Sequence, residues 1–364
     1  MNSIKISNSR ISIFTIPTKS QLESDGTLEW NSTTMILVEL LAGNTWSVGY
    51  TYGHEGIASL VKTLIEKHVI GQNAFDIPLI WNQIHRAVRN DGALGMAAMA
   101  VSAIDVALWD LKAKLLDIPL VKLMGSSRSK IEVYGSGGFT SATLTELQEQ
   151  MEAWRDQGIR RFKMKVGTHP KDDPSRVVFV RECIGPQNDL MVDGNEAYDI
   201  TTALRLAEVF AAQNVSWFEQ PIQSQDLPGM KELKSKLPKG MVLATGEYIY
   251  GAPQALRLIQ YRSADVIQLD ATRCQGITGF LKAAALCEAA NISISSHCAP
   301  TLHVALGCAN LGMLHLEYFF DHVRIEQEFF DGVPSIKDGF LEPDLSRPGL
   351  GITLKSKDLE RYQK

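Results

Sequence analysis

In Arg160-Arg161-Phe162-Lys163-Met164-Lys165-Val166-Gly167, two lysines two residues apart sit in a run of aromatic and aliphatic neighbours, the composition of a β-strand. Side chains alternate faces along a strand, so Lys163 and Lys165 share one face and Phe162, Met164 and Val166 take the other. Two ammonium groups side by side on a buried face depress each other's proton affinity, which is one way to make a lysine base. The competing reading is a solvated edge strand that uses lysines to prevent edge pairing.

Repetition along the chain decides between them. Short apolar runs ending in a polar or acidic residue recur at Asp189–Asp193, Val215–Glu219, Met241–Glu247, Ala264–Asp270, Ile292–His297 and His315–Glu317. Each lies one strand-plus-helix length after the last, and helical periodicity fills the gaps, as in Thr202–Ala212 and Gly279–Ala290. Alternating units of this kind build a parallel sheet, and this many predict a closed (β/α)8 barrel, a TIM-type fold whose active sites lie at the carboxyl ends of the strands. Parity agrees: Met191, Asp193 and Asn195 share a face, as do Gln268 with Asp270, and Ser293 with Ser295 and His297. The opposite faces, Leu190/Val192, Ile267/Leu269 and Ile292/Ile294, are aliphatic and suit packing against outer helices.

The 364 residues, 45% apolar and 21% charged, accommodate a barrel and a smaller domain with no stretch of disordered composition. A net charge of −5 provides no basic field for nucleic acid or an anionic membrane. Five unevenly spaced cysteines without a CxxC read as reduced and mostly buried. The start has no apolar leader segment and no apolar run reaches membrane-spanning length, so the expectation is a soluble, cytoplasmic protein.

Residues 1–125 read as an α+β capping domain. A strand over Ile4–Ile16 precedes Thr34–Leu41 and Trp46–Tyr50, which are joined by a turn at Gly43-Asn44, and helices follow at Ala58–Lys67, Pro78–Arg86 and Met96–Leu116. The polar stretch from Pro17 to Ser32 reads as a mobile surface loop, with a lid as the alternative. The helix from Met96 is apolar on most sides, which suits packing between domains or subunits and predicts a symmetric homo-oligomer. Its Asp105 and Asp110 read as a cap or a buried ion pair rather than metal ligands. Residues 126–325 form the barrel, opening with Ile131–Gly138, where Ser136 and its glycines leave room for a ligand. Residues 326–364, rich in Gly and Pro, return to the first domain.

Asp193, Glu219 and Glu247 end three consecutive strands. Three convergent carboxylates repel one another unless a hard divalent cation sits among them, and an all-oxygen set favours Mg²⁺ over Zn²⁺. Asp270 and His297 end the next two strands, and a carboxylate beside an imidazole fixes its tautomer and raises its basicity for general acid or base work. Lys165 and His297 then flank whatever the metal holds. Asn195 suits a substrate hydroxyl. Glu317 either bonds a substrate carboxyl group or caps the barrel, and His303 and His315 read as structural.

Lys163-Met164-Lys165, Asp193-Gly194-Asn195, Glu219-Gln220-Pro221, Gly246-Glu247, Asp270 with His297, and Glu317 together resemble the enolase superfamily, mandelate racemase subgroup, over nearly the whole chain. The resemblance implies Mg²⁺ on Asp193, Glu219 and Glu247, with Lys165 and the Asp270/His297 pair as two bases and Lys163 adding positive charge. It implies removal of the proton α to a carboxylate to give an enediolate, then loss of a β-hydroxyl from a sugar acid to yield a 2-keto-3-deoxy acid. Reprotonation instead would make a racemase or epimerase, and a non-catalytic sugar- or metal-binding module is the remaining alternative. By the same analogy Trp30 and His54 lie over the site. Tyr248 departs from the small or polar residue common at that position.

Overall fold

The computed structural model describes residues 3–355 and 359–364; the first two residues of the leader reading and 356–358 of the tail lie outside them. The chain opens with β1 (Ile6–Pro17), the two-residue strands β2 (Glu23–Ser24) and β3 (Glu29–Trp30), then β4 (Ser32–Ala42) and β5 (Thr45–Tyr52). The long strands form an antiparallel sheet in the order β1-β4-β5, with Gly43-Asn44 turning between the last two as the sequence predicts. Helices α1 (Ile57–His68), α2 (Ile77–Ala87) and α3 (Met96–Leu115) pack on this sheet and bury Ile36, Val38 and Leu40 against Val61, Ile65 and Ile104.

Helix α3 is buried on nearly every side by this chain itself, against β5 on one flank and the barrel on the other, so its apolar character supplies no argument for a subunit interface. Its two acids serve as cap and ion pair. Asp105 accepts the backbone N–H and hydroxyl of Thr278, in the first turn of a barrel helix. Asp110 pairs with Lys114 one turn on at 2.7 Å and accepts the N–H of Val48 and of Leu350, tying two distant segments to one carboxylate.

After α4 (Leu120–Met124) the chain alternates strand and helix eight times. The units are β6 (Ile131–Gly137), α5 (Leu144–Asp156), β7 (Arg161–Lys165), α6 (Asp173–Ile184), β8 (Asp189–Asp193), α7 (Ile200–Ala211), β9 (Val215–Glu219) and α8 (Leu227–Lys236). They continue with β10 (Val242–Thr245), α9 (Ala252–Tyr261), β11 (Val266–Leu269), α10 (Gly276–Ala289), β12 (Ser293–Ser296), α11 (Pro300–Ala309), β13 (Leu316–Phe319) and α12 (Phe320–Phe329). The sheet runs β12-β11-β10-β9-β8-β7-β6-β13, all parallel. Backbone bonds from Leu314 to Ile294 and from Ser296 to His315 close β12 onto β13, completing a modified TIM barrel. Local sequence starts the helices: Thr143 and Glu146 cap α5 reciprocally, Asp199 caps α7, and proline stands in the first turn of α6, α8, α9 and α11.

The alternation of faces holds. Phe162, Met164, Leu190, Val192, Ile267 and Leu269 pack outward among the helices. Tyr134, Met191, Trp217, Ala244 and Val266 form a small separate cluster inside the barrel. The tail divides its contacts: β14 (Phe330–Asp331) pairs with β16 (Thr353–Leu354), while β15 (Phe340–Leu341) pairs antiparallel with β6 at the floor of the barrel. All five cysteines are free, and among the described residues no helix is long and apolar enough to cross a membrane.

Candidate active site

At the carboxyl end of the barrel the backbone leaves its strands through left-handed conformations. Asn195 and Glu196 follow β8, Gln220 follows β9, Gly246 follows β10, and Cys298 and Ala299 follow β12, all at positive φ. Non-glycine residues in this region cost of order 1–3 kcal/mol each and tend to cluster where side chains must be aimed. The turn at Gly246 aims Glu247. Ala244 faces the barrel interior, so simple alternation would send Glu247 outward, but φ +136 at Gly246 turns it back. A Cβ there would lie 2.3 Å from the Gln268 carbonyl oxygen, so only glycine fits.

Lys163, Lys165, Asp193, Glu219, Glu247, Asp270, His297 and Glu317 are all buried at this mouth. Lys163 Nζ lies 2.8 Å from Glu219 and 2.7 Å from Glu317, and Lys165 Nζ lies 2.5 Å from Asp193. His297 presents Nδ1 to Asp270 at 2.8 Å and Nε2 to Glu247 at 2.9 Å. Each carboxylate thus has a lysine of this chain or the His297 imidazole as its partner.

The lysine pair does not behave as its spacing predicts. Burial, the largest influence, and Lys163 pull the proton affinity of Lys165 down, but Asp193, Glu247 and Glu219 outweigh them and hold it above the ordinary lysine value. Lys163 is likewise held up by Glu219 and Glu317 against its burial. Burial and the neighbouring Asp193 push Glu219 up to about 8 in spite of Lys163. Burial also works against Glu247, which His297 nonetheless holds well below the usual carboxylate range. Burial favours neutral His297, yet Cys298, Glu247 and Asp270 together raise it, while the His297 hydrogen bond draws Asp270 down to about 2 against its own burial.

The three carboxylates fit a hard divalent cation by their chemistry. They are oxygen donors only, Asp193 and Glu219 end β8 and β9 and are direct register partners, and Glu247 follows β10. Beside them Asn195 Oδ1 is buried with no hydrogen-bond partner. Among the described residues, the ligand atoms that lie within 4.8 Å of one another are those of a chemically different group, His297, Cys298 and Glu317, and not those of the three carboxylates.

Ser136 donates to Glu317 at 2.6 Å, and Cys298 N–H donates to the other Glu317 oxygen at 2.6 Å. Glu317 thus carries two partners on Oε1, Lys163 and Ser136, and one on Oε2, the Cys298 N–H. His303 takes the Ala271 N–H on Nε2 and is structural, and His315 is wedged between Tyr134 and Trp217 inside the barrel.

The polar stretch between β1 and β4 is not a solvated loop. Glu23, Ser24 and Asp25 are buried against the strand ends. Thr140 and Thr168 donate to the Asp25 carbonyl at 2.8 and 2.6 Å, and Thr27 donates to the Asn195 carbonyl at 3.1 Å. Trp30 bonds Glu23 and packs edge-on against Phe139. His54 stands exposed after β5, its Nδ1 accepting the Gly56 N–H.

Arg273 and Cys298 escaped the sequence reading. Arg273 donates to the Glu247 carbonyl at 3.2 Å and lies over the Tyr248 ring, which gives that residue a place. A groove of about 840 Å³ opens elsewhere, between α5 and α12, and contains none of the mouth residues.

Residues 146–359 match the family described as enolase C-terminal domain-like, and residues 21–125 match the mandelate racemase / muconate lactonizing enzyme N-terminal domain. The chain is 33% identical to L-talarate/galactarate dehydratase of Salmonella typhimurium strain LT2, over 84% of this chain and 77% of that protein. It superposes on a mandelate racemase/muconate lactonizing enzyme-like protein from Rubrobacter xylanophilus with a TM-score of 0.96 at 44% identity, covering 99% of this chain and 100% of that one. The L-talarate dehydratase of Polaromonas sp. JS666, solved with Mg and L-glucarate, matches at a TM-score of 0.87 and 31% identity, over 100% of this chain and 98% of that one.

Proposed function

This chain belongs to the mandelate racemase / muconate lactonizing enzyme family of the enolase superfamily, and from that premise we propose that it is a hydro-lyase acting on a sugar acid. The reaction removes the proton α to the carboxylate and expels the β-hydroxyl as water, leaving a 2-keto-3-deoxy acid. One observation carries the reading: Lys165 and the Asp270–His297 pair reach the mouth from β7 and beyond β11 and β12, with Asp193, Glu219 and Glu247 between them. The sugar-acid substrates named for the relatives support the substrate class.

We assign Mg²⁺ to Asp193, Glu219 and Glu247, as their donor chemistry and the Mg in the Polaromonas structure support. When bound, such an ion supplies positive charge to the substrate carboxylate, where negative charge grows as the α-proton leaves. Lys165 takes that proton. It becomes a base once Asp193 Oδ2 no longer neutralises it, after which burial and Lys163 lower its proton affinity against the remaining pull of Glu247 and Glu219. Lys163 keeps its charge and opposes the negative charge that develops. His297, raised by Cys298, Glu247 and Asp270 against its burial, carries the proton that the departing hydroxyl needs, and Asp270 holds the ring with Nε2 toward the mouth. Asn195 Oδ1 and Ser136 are assigned to substrate hydroxyls. The segment at 18–31 covers the mouth and excludes water, with Trp30 in it and His54 at its margin.

As part of the same proposal, residues 1–125 with 326–364 form the cap around a barrel over 126–325, in a cytoplasmic homo-oligomer. The exposed side chains of Leu79, Leu94 and Met96 support association, and sedimentation giving a monomer at all concentrations would remove it.

The catalytic roles separate in deuterium oxide. His297→Asn should retain exchange of the α-proton while forming no 2-keto acid, because proton removal needs only Lys165; Lys165→Ala should lose both. A racemase would instead lose exchange from one enantiomer in each variant and yield no 2-keto acid. Full activity in the double variant would sink the mechanism.

A further inference from the structure

The alternation of a strand would send the side chain after His297 away from it. Two consecutive non-glycine residues at positive φ, Cys298 at 49° and Ala299 at 41°, prevent this and return the thiol to the mouth. Cys298 Sγ then stands 3.3 Å from His297 Nε2, while its N–H holds Glu317 Oε2 at 2.6 Å. Nitrogen, sulfur and oxygen donors from three buried residues so come within 4.8 Å of one another.

From this geometry we infer that His297 Nε2, Cys298 Sγ and a Glu317 carboxylate oxygen form a second metal site, selective for a borderline-soft divalent ion such as Zn²⁺. Three protein donors of mixed N, S and O character leave a fourth position to solvent and suit tetrahedral zinc, whereas Mg²⁺ demands oxygen and an octahedron. The support beneath the donors is that of a zinc site. Asp270 accepts from His297 Nδ1 at 2.8 Å, the carboxylate–histidine arrangement that fixes the tautomer with the Nε2 lone pair outward. Ser136 Oγ and Lys163 Nζ hold the other Glu317 oxygen, at 2.6 and 2.7 Å. Glu247 Oε2, 2.9 Å from His297 Nε2, gives up that contact when the nitrogen takes the ion. Burial keeps the thiol protonated and His297 is held in its protonated form, so the Cys298 proton and the His297 Nε2 proton both leave to solvent as the ion binds.

An ion at this site occupies the nitrogen that the dehydration assigns to proton transfer. Zn²⁺ is then an inhibitor that excess Mg²⁺ does not displace. That consequence rests on the role proposed for His297; the site itself does not.

Cobalt(II), added to the full-length protein in the presence of excess Mg²⁺, reads the site without any substrate. The expected result is one equivalent with an intense visible spectrum of tetrahedral cobalt and a near-ultraviolet thiolate-to-cobalt band. Cys298→Ser should remove that band and weaken Zn²⁺ binding at least tenfold, and Cys183→Ser, which changes the one half-buried cysteine, should leave both intact. Zinc-edge X-ray absorption on the unaltered protein removes dependence on how the Cys298 variant folds: one sulfur at about 2.3 Å with imidazole is expected. A weak octahedral cobalt spectrum, displacement by Mg²⁺, or an oxygen-only shell would overturn the site. A confirmed sulfur ligand with undiminished turnover would leave the site standing and remove His297 from the reaction.

Discussion

Gly26 sits at the tip of the segment that covers the mouth, and Gly26→Ala tests whether that cover is needed for turnover. The added Cβ would lie 2.3 Å from the Gly194 carbonyl oxygen and 2.6 Å from that of Val166, where 3.4 Å or more is ordinary contact. Both obstacles are backbone at strand ends, so the tip must lift by about 1 Å. A lift of that size breaks the bonds from Thr140 and Thr168 to Asp25 and from Thr27 to Asn195. Three such bonds at about 1 kcal/mol each put the closed form about 2–4 kcal/mol higher, so kcat/KM should fall roughly 30- to 700-fold. The sheet and barrel cores lie elsewhere, so the midpoint of thermal unfolding should hardly move. The assay pairs α-proton exchange with tryptic cleavage after Lys19, which should accelerate as the segment lifts. Unchanged exchange with accelerated cleavage would mean that the cover has no part in the chemistry. Unchanged cleavage would show that the packing argument itself is wrong.

Two other outcomes follow from the same contacts. Burial, with a smaller contribution from Asp270, raises Glu326 from 4.5 to about 7 against its hydrogen bonds from Tyr50 and Thr301. A raised carboxyl group contributes stability that is complete below pH 4.5 and lost as pH climbs through 7, a difference worth about 3 kcal/mol. Glu326→Gln keeps both contacts without an ionisable proton, so chemical denaturation should find it equal to the parent near pH 4 and about 3 kcal/mol more stable at pH 8; matching profiles would discard the assignment. Chelation should abolish α-proton exchange and Mg²⁺ alone should restore it, whereas exchange that survives exhaustive chelation would dissociate the three carboxylates from the chemistry.

What was legible in the sequence was whatever a strand or helix period encodes. Parity separated Lys163 and Lys165 from Phe162 and Met164, and placed Asp193 and Asp270 at the mouth, because a period of two survives any tertiary context. Parity did not apply beyond the last strand residue. Glu247 and Cys298 reach the mouth through positive φ at Gly246 and at Cys298 itself; glycine signals such a turn, and Cys-Ala does not. Charge balance was equally hidden. The sequence presents two lysines together, and only the fold reveals that Asp193, Glu219 and Glu317 surround them closely enough to reverse the expected shift. The stretch at 18–31 reads as solvated from its composition, whereas the Asp25 carbonyl is held by Thr140 and Thr168, over 100 residues away in sequence, a pairing with no local signature.

Asp110 imposes a timetable on the making of this protein. Its buried carboxylate is shared by Val48, Lys114 and Leu350, the last of these 240 residues downstream. At about 5–20 residues per second, a ribosome needs about 12–48 s to travel that distance. Throughout that interval the emerging helix carries an acid whose burial lacks one donor, a deficit of about 1–3 kcal/mol. The last donor to Asp110 is therefore synthesised only after the whole barrel, and the packing around this carboxylate is completed late.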